Sequence, residues 1–373
     1  MTDLKELLDK TDLFVDQFVA PNAKKWELER QMPSEIFQQA AGFGLTGIIV
    51  PTELGGRDVG VVGLTRVLRK IAAADMACAF SLVVHNNLAA AIANSGNDHL
   101  KETFLPGLLS GDKVGAFLLT EPQGGSDAGA ITTFASSGNG NKNNGFVLNG
   151  EKAWVSNGTH ADVLSVYAQT GKGMLCLVVA AGSDGIVRSD PYSMLGGHGL
   201  GTCAFTFSNV QVPAGNVLVP EGEGLKAALA GIDIARINVA AMCCGMLEAS
   251  LAYVIEFARN RQFKGRAITD MQGIQWRLAD IATDLAAADA LLAQAARSHD
   301  ENGPVATLAA KAKKCATTIT LRRLADCMQI MGAAGLQQEH PIARHFACAK
   351  IAEYLDGTTE IQNLVIARAL LAE

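Results

Sequence analysis

The sequence predicts a mainly helical chain of the α+β class, with helices at both ends and a β segment between them. Three observations carry this. Apolar residues recur at helical spacing from Leu4 to about Gly111. Near Val114 the pattern changes to short apolar runs broken by glycine-rich turns. After Gly224 helical periodicity returns and continues to the end. The expected domains are therefore 1–113, helical; 114–222, a small β domain; and 223–373, a helical bundle.

Taken in order, Leu4, Leu7, Leu8, Phe14, Val15 and Phe18 lie at helical spacing. The polar start Met1-Thr2-Asp3-Leu4-Lys5-Glu6 reads as helix, not as a signal peptide. Pro33-Ser34-Glu35 opens a second helix that stops at Gly42–Gly44, and Pro51–Gly56 is a loop. Val59 to Ser110 reads as two or three further helices rich in Ala and Leu. Val114–Leu119 is a short apolar run ahead of the polar loop Thr120–Asp127. Phe146-Val147-Leu148 leads into Asn149-Gly150, read as a hairpin turn, and on to Ala153-Trp154-Val155. Val163–Tyr167, Met174–Ala180 and Phe205–Val212 are further strands, and Gly138–Gly145 is a surface loop. A long helix is expected from about Leu225 to Asn260. A second starts at a Thr269…Gln272 capping box and reaches about His299, and a third runs from Pro304 to Met331.

Composition narrows the function. Hydrophobic residues make up 49% and charged residues 18%, so much surface is expected to be buried between domains or subunits. The formal net charge of −6 and the lack of Lys/Arg clusters argue against nucleic acid. The eight cysteines show neither a Cys-x-x-Cys pair nor a zinc-like spacing with His, and read as reduced core residues of a cytoplasmic protein; no metal site is expected. No apolar run reads as a membrane span. Dinucleotide-binding and Walker loops, a Gly-x-Ser-x-Gly elbow and His-Glu-x-x-His are all missing. His85, His198 and His340 read as packing or capping groups.

The chemistry concentrates in Tyr354-Leu355-Asp356-Gly357-Thr358-Thr359-Glu360-Ile361-Gln362. One helix should end at Asp356-Gly357, with Gly357 as its left-handed terminus, and the next begin at Thr359 with Gln362 completing a capping box. A carboxylate and several free backbone N–H groups would then share a rigid junction, which suits proton abstraction beside a bound anion or carbonyl. A solvated aspartate in an ordinary helix–turn–helix is the other reading. The loop Thr120–Asp127 suits a flat polar heterocycle or a phosphate, or is a plain tight turn. Trp154 with Ser156 suits stacking beside a ring, unless Trp154 is a core residue.

Together these segments resemble the acyl-CoA dehydrogenase family of flavoproteins over nearly the whole chain. Gly47–Gly56 resembles the family's first loop. Ala116-Phe117-Leu118-Leu119-Thr120-Glu121-Pro122-Gln123-Gly124-Gly125-Ser126-Asp127 resembles its most diagnostic signature. Asn149–Gly158, Gln329–Gly335 and Asp356–Gln362 are similar to its later blocks, in family order. The resemblance implies an N-terminal helical domain, a middle β-barrel-like domain and a C-terminal four-helix-bundle domain. It also implies FAD between the last two domains and a homotetramer.

By position it places Phe117, Thr120, Gly125 and Ser126 at flavin or thioester, Trp154 and Ser156 around the flavin ring, and Asp233, Arg236 and Gly357 near the substrate. Gln329, Gly332 and Ala333 would reach the FAD diphosphate from a neighbouring subunit. Thr358 and Glu360 would contact the adenine-side half, and Arg261 and Gln272 would also serve the cofactor. In such enzymes a carboxylate removes the α-proton of an acyl thioester while flavin N5 takes the β-hydride. The acyl carrier is coenzyme A or a carrier protein, and an electron-transfer flavoprotein takes the electrons.

Four positions depart from the family pattern. Asp356 stands where most members carry Glu, and the alternative base position holds Ala235. The Arg261-Gln262-Phe263 segment is shifted by one, and Ala347-Cys348 replaces a usual Arg-Asp pair. Two further functions stay open: an oxygen-using relative (nitroalkane-oxidase-like or a flavin monooxygenase), or a flavin-binding homologue without efficient chemistry.

Overall fold

The computed structural model describes residues 2–138, 145–338 and 340–372. Most of the expected Gly138–Gly145 surface loop therefore lies outside the described residues. The N-terminal block is helical, as its periodicity requires. Helix α1 (Thr2–Phe14) runs into a π-helical turn, Val15–Val19, and α2 (Ala23–Glu29) and α3 (Glu35–Gly42) follow. Then come α4 (Gly60–Ala74), α5 (Met76–Ser95) and α6 (Asp98–Ser110). Asp75 separates α4 from α5: its Oδ1 accepts the Cys78 N–H at 2.8 Å, satisfying an orphan donor at the start of α5. Gly111, at φ 75°, ends α6 in the left-handed conformation that glycine tolerates.

The middle block forms one mixed sheet. Its strands are β1 (Gly115–Leu118), β2 (Phe134–Ser137), β3 (Phe146–Val155), β4 (Val163–Thr170), β5 (Gly173–Ala180), β6 (Ile186–Arg188), β7 (Cys203–Val212) and β8 (Val217–Val219). The order is β6-β7-β3-β2-β4-β5-β8, with β1 pairing parallel to β4. The path does not close, so the expected barrel-like domain is an open sheet. Asn149-Gly150 is not a hairpin turn either. β3 continues through it, and Gly150 (φ 140°) marks a bulge where the register against β7 shifts. A Cβ on Gly150 would come within 2.6 Å of Thr133 Cα, so the close approach of the backbone just before β2 is what requires glycine there.

The C-terminal block opens with α7 (Gly224–Asn260), 37 residues long. A short hairpin of β9 (Gln262–Phe263) and β10 (Arg266–Ala267) leads to α8 (Gln272–Asp300) and α9 (Ala306–Met331). Two shorter helices, α10 (Ile342–Ala352) and α11 (Thr359–Leu371), finish the chain. The expected Thr269…Gln272 capping box does not form. Thr269 sits in a 3-10 turn, α8 starts at Gln272 after an extended Met271, and the Thr269 carbonyl accepts from Gln275 Nε2 at 2.8 Å.

One hydrophobic core runs through both helical blocks, from Leu7, Phe14 and Leu68 to Met242, Leu292 and Ala349. Helices α4 and α7 are its seam. A Cβ on Gly245 of α7 would lie 2.2 Å from the Arg69 carbonyl of α4, so the backbones nearly touch. The sheet keeps a core of its own around Leu148, Leu164, Leu177 and Phe205.

Contrary to the sequence reading, two helices among the described residues are apolar and long enough to cross a membrane: Met76–Ser95 and Gly224–Asn260. Their apolar windows are 89% and 56% buried inside the protein, so the core already accounts for most of that apolar surface. All eight cysteines are free, and all but Cys315 are buried.

Candidate active site

The junction between α10 and α11 is more tightly built than its sequence suggests. Both Asp356 (φ 52°) and Gly357 (φ 93°) are left-handed. Aspartate tolerates this conformation better than most non-glycine residues, at some conformational cost. The N-cap of α11 is Thr358, not Thr359, and it makes no side-chain cap bond. Gln362 does not close a capping box; its Nε2 donates to the carbonyls of Gly357 at 2.9 Å and Asp356 at 3.4 Å.

Two buried cations reach the same turn. Arg236 on α7 donates Nε to the Asp356 carbonyl at 3.2 Å and Nη1 to Asp233 Oδ1 at 2.8 Å. Lys313 on α9 donates Nζ to the Glu353 carbonyl at 3.2 Å and to the Gly357 carbonyl. The turn's carbonyls are thus held by three side chains from three helices, and Asp233, Arg236, Asp356 and Gly357 lie together.

The Asp356 carboxylate is left free. Its Oδ2 is fully buried and has no hydrogen-bond partner. Burial pushes its pKa up to about 6, against the opposing charges of Lys313 and Arg236. The Lys313 ammonium is pushed down to about 8 by burial, against the pull of Asp356. The reading of Asp356 as a solvated cap does not fit a buried, unpartnered oxygen.

The loop after β1 is braced by a pair that sequence reasoning did not single out. Lys152 on β3 donates to Glu121 Oε1 at 2.8 Å and to the Leu119 carbonyl at 2.9 Å, and the two side chains are 0% and 1% exposed. Glu121 also accepts from Gln123 Nε2, Thr132 N and Oγ1, and Thr133 N. Thr120 is therefore fixed on both sides. A Cβ on Gly125 would sit 3.0 Å from Thr120 Oγ1, so glycine lets the loop fold back on that hydroxyl. Phe117 is half-buried with its ring 5.2 Å from Tyr167, and Ser126 is exposed at the loop tip.

Trp154 is exposed, not core. Residues 152 to 155 carry a second register shift against β7, and Trp154 adopts φ 59°, which turns its ring out of the sheet. It is 59% exposed and lies 4.5 Å from Tyr192, another residue the sequence reading missed. Ser156 is half-buried beside it in sequence.

The remaining expected cofactor residues stand elsewhere. Arg261 caps the end of α7, Gln272 begins α8, Gln329 lies in the last turn of α9, and Gly332 and Ala333 open the 3-10 turn that follows it, all exposed. Among the described residues no hydrogen bond joins them to the Thr120–Ser126 loop. Thr358 is half-buried and Glu360 exposed at the start of α11. Gly332 (φ 62°) has open space where a Cβ would point, leaving a bare backbone surface at the end of α9. Exposed aromatic rings, a braced hydroxyl loop and this bare backbone fit a flavin dinucleotide.

An open sheet set against two helical blocks that share one core, with a buried free carboxylate at a helix junction, fits a flavin-dependent CH–CH oxidoreductase. Comparison with known proteins fixes it. The acyl-CoA dehydrogenase N-terminal domain matches residues 1–112, the middle domain 116–210 and the C-terminal domain 222–371. The acryloyl-CoA reductase (NADH) of Anaerotignum propionicum is 36% identical over 100% of this chain and 95% of its own length. A chain solved in work on the electron transferring flavoprotein of Acidaminococcus fermentans superposes with TM-score 0.95 at 31% identity, covering 100% of this chain and 99% of that one. Butyryl-CoA dehydrogenase of Megasphaera elsdenii gives TM-score 0.94 at 32% identity, covering 100% and 98%. Glutaryl-CoA dehydrogenase of Mycobacterium smegmatis, solved with FADH2, gives TM-score 0.94 at 25% identity, covering 100% and 95%. The chain belongs to the acyl-CoA dehydrogenase family. It is an oxidoreductase acting on CH–CH donors, and its cofactor is FAD.

Proposed function

We infer that this enzyme interconverts a short acyl-CoA and its α,β-unsaturated form, with Asp356 as the group that holds the α-proton. The observation that carries this is the buried, unpartnered Oδ2 of Asp356. In dehydrogenation the ionised carboxylate takes the proton from Cα as the C–H bond breaks. In the reverse direction it returns the proton to Cα. FAD, when bound, supplies the hydride acceptor for Cβ. The Asp356 N–H makes no hydrogen bond among the described residues, so it is free to donate to a thioester carbonyl as charge develops there. Asp233, Arg236 and Gly357 line the approach to this point.

Short acyl groups are favoured because the acryloyl-CoA and butyryl-CoA enzymes are both similar to this chain. The similarity to the Acidaminococcus chain supports an electron-transferring flavoprotein as redox partner. Exposed Trp276, Phe263, Leu336 and Tyr354 on the C-terminal block support a homotetramer, and eight thiols with no disulfide support a cytoplasmic setting.

Anaerobic mixing with acyl-CoAs and acyl-carrier-protein thioesters tests the reading through bleaching of the flavin spectrum. Short acyl-CoAs should bleach it, and Asp356→Asn should lose that reaction while keeping FAD. Bleaching of Asp356→Asn at the parent rate would remove Asp356 as the base. Preference for the carrier-protein thioesters, or fast reoxidation by air, would move the assignment to another branch of the fold.

A further inference from the structure

Lys313 is 1% exposed and meets no carboxylate within ion-pair distance among the described residues. A buried ammonium without a direct counter-ion is costly and needs a reason. Its hydrogen bonds supply one. Lys313 Nζ binds the carbonyls of Glu353 and Gly357, the two ends of the turn whose fourth residue is Asp356. The carbonyl between those ends, that of Asp356, is held by Arg236. Asp356 keeps φ 52° inside this clamp, with its carboxylate Oδ2 buried.

We propose that Lys313 is a positioning residue for the base: it pins the left-handed turn at both ends and sets the charge state of the Asp356 carboxylate from the α9 side. This rests on the reading of Asp356 as the base. The groups facing the pair are few. Arg236 adds a second positive charge from α7, itself bonded to Asp233. Cys243 of α7 and Glu353 act on Lys313 from its other sides, and Glu360 at the start of α11 feels its charge. Lys313 and Arg236 are the two charges that oppose burial at Asp356. With Lys313 removed, only Arg236 remains to keep the carboxylate ionised.

The test uses the FAD-loaded enzyme with Lys313→Met, Lys313→Arg and Asp356→Asn, reading kcat, KM and the pH profile of flavin reduction. Lys313→Met should lower kcat ~10–100-fold with a much smaller change in KM, since a misplaced base costs rate rather than binding. Its acid limb should move up by about one pH unit, because one of the two positive charges that oppose burial at Asp356 has been taken away. Lys313→Arg keeps the charge, so its acid limb should stay with the parent's while kcat recovers in part. A merely structural lysine would leave the acid limb in place. Folded Lys313→Met with the parent's kcat and acid limb overturns the proposal, provided Asp356→Asn is inactive. If Asp356→Asn is as active as the parent, the base reading fails and the proposal falls with it. Should Lys313→Met not fold, Lys313→Gln is read by the same limb, and an unmoved limb again overturns it.

Discussion

The sharpest stability prediction concerns Lys152 and Glu121, which lie 2.8 Å apart with essentially no exposure. Lys152→Met removes the ammonium but leaves Glu121 four donors: Gln123 Nε2, Thr132 N, Thr132 Oγ1 and Thr133 N. Breaking a buried pair costs ~3–5 kcal/mol, and the surviving donors put Lys152→Met near ~3 kcal/mol. Glu121→Gln should be worse, because its amide would point N–H groups at donors while Lys152 keeps its charge. That places it near ~5 kcal/mol. A loss of ~3 kcal/mol is roughly two decades in the unfolding constant.

Urea unfolding of the FAD-free protein, followed by far-UV circular dichroism, measures the first effect, and FAD titration measures the second. Because Lys152 braces both neighbours of Thr120, FAD affinity should fall along with stability. The pH dependence has a definite sign. Burial raises the Glu121 pKa, but hydrogen bonds from Lys152, Thr133 and Thr132 outweigh it and hold the carboxyl well below its ordinary 4.5. Its contribution is therefore complete above that ordinary value and drains away as pH falls below it. Glu121→Gln should flatten the acid side of the stability curve. A Lys152→Met protein within ~1 kcal/mol of the parent, with parent FAD affinity, would refute the account.

Other consequences are simpler. Asp356 must be ionised to accept a proton, so kcat/KM should fall as pH drops through about 6, and an acid limb near 4 would contradict the burial argument. The same raised pKa means that burying this charge costs stability above about 6, so Asp356→Asn should gain stability on the parent as pH rises through that value. Trp154→Ala should weaken FAD binding without altering the far-UV spectrum, since the ring is 59% exposed; unchanged FAD affinity would sever Trp154 from the flavin. Gly245→Ala should destabilise by ~1–3 kcal/mol or more in urea, because its Cβ would meet the Arg69 carbonyl at 2.2 Å.

The large divisions of this chain were legible because periodicity is a property of long segments. Helix α7, read as Leu225–Asn260, forms as Gly224–Asn260. Short-range signals fared worse wherever a tertiary contact overrode them. Asn149-Gly150 has the composition of a hairpin turn, but Thr133, just before β2, lies against it and β3 runs straight through. Both expected capping boxes failed because the helices start elsewhere: the N-cap of α8 is Met271 rather than Thr269, and that of α11 is Thr358 rather than Thr359, so neither Gln272 nor Gln362 falls three residues after its cap. Strands β2, β6 and β8 are 4, 3 and 3 residues long, too short to leave a pattern. At the site, Asp356 was visible as the last carboxylate before a helix-starting glycine turn. Lys313 and Lys152 were not, because nothing local distinguishes a buried lysine from a solvated one. What buries them is packing from elements 31 to 44 residues away in sequence.

The single core shared by both helical blocks has a bearing on how relatives of this enzyme can be recombined. Three family segments tile the chain, which invites exchange of each on its own. Yet Gly245 presses on the Arg69 backbone, and Arg69 reaches Glu248 and Asp289 across the same seam. The first and last segments are thus one folding unit interrupted by an inserted sheet. A chimera that takes its N-terminal helices from one parent and its C-terminal helices from another would have to invent a new seam. One that trades only the sheet would keep that seam, and would have to refit only the sheet's packing on α5, α6 and α7, where Leu88, Leu108 and Ala228 meet Val163, Met174 and Val178.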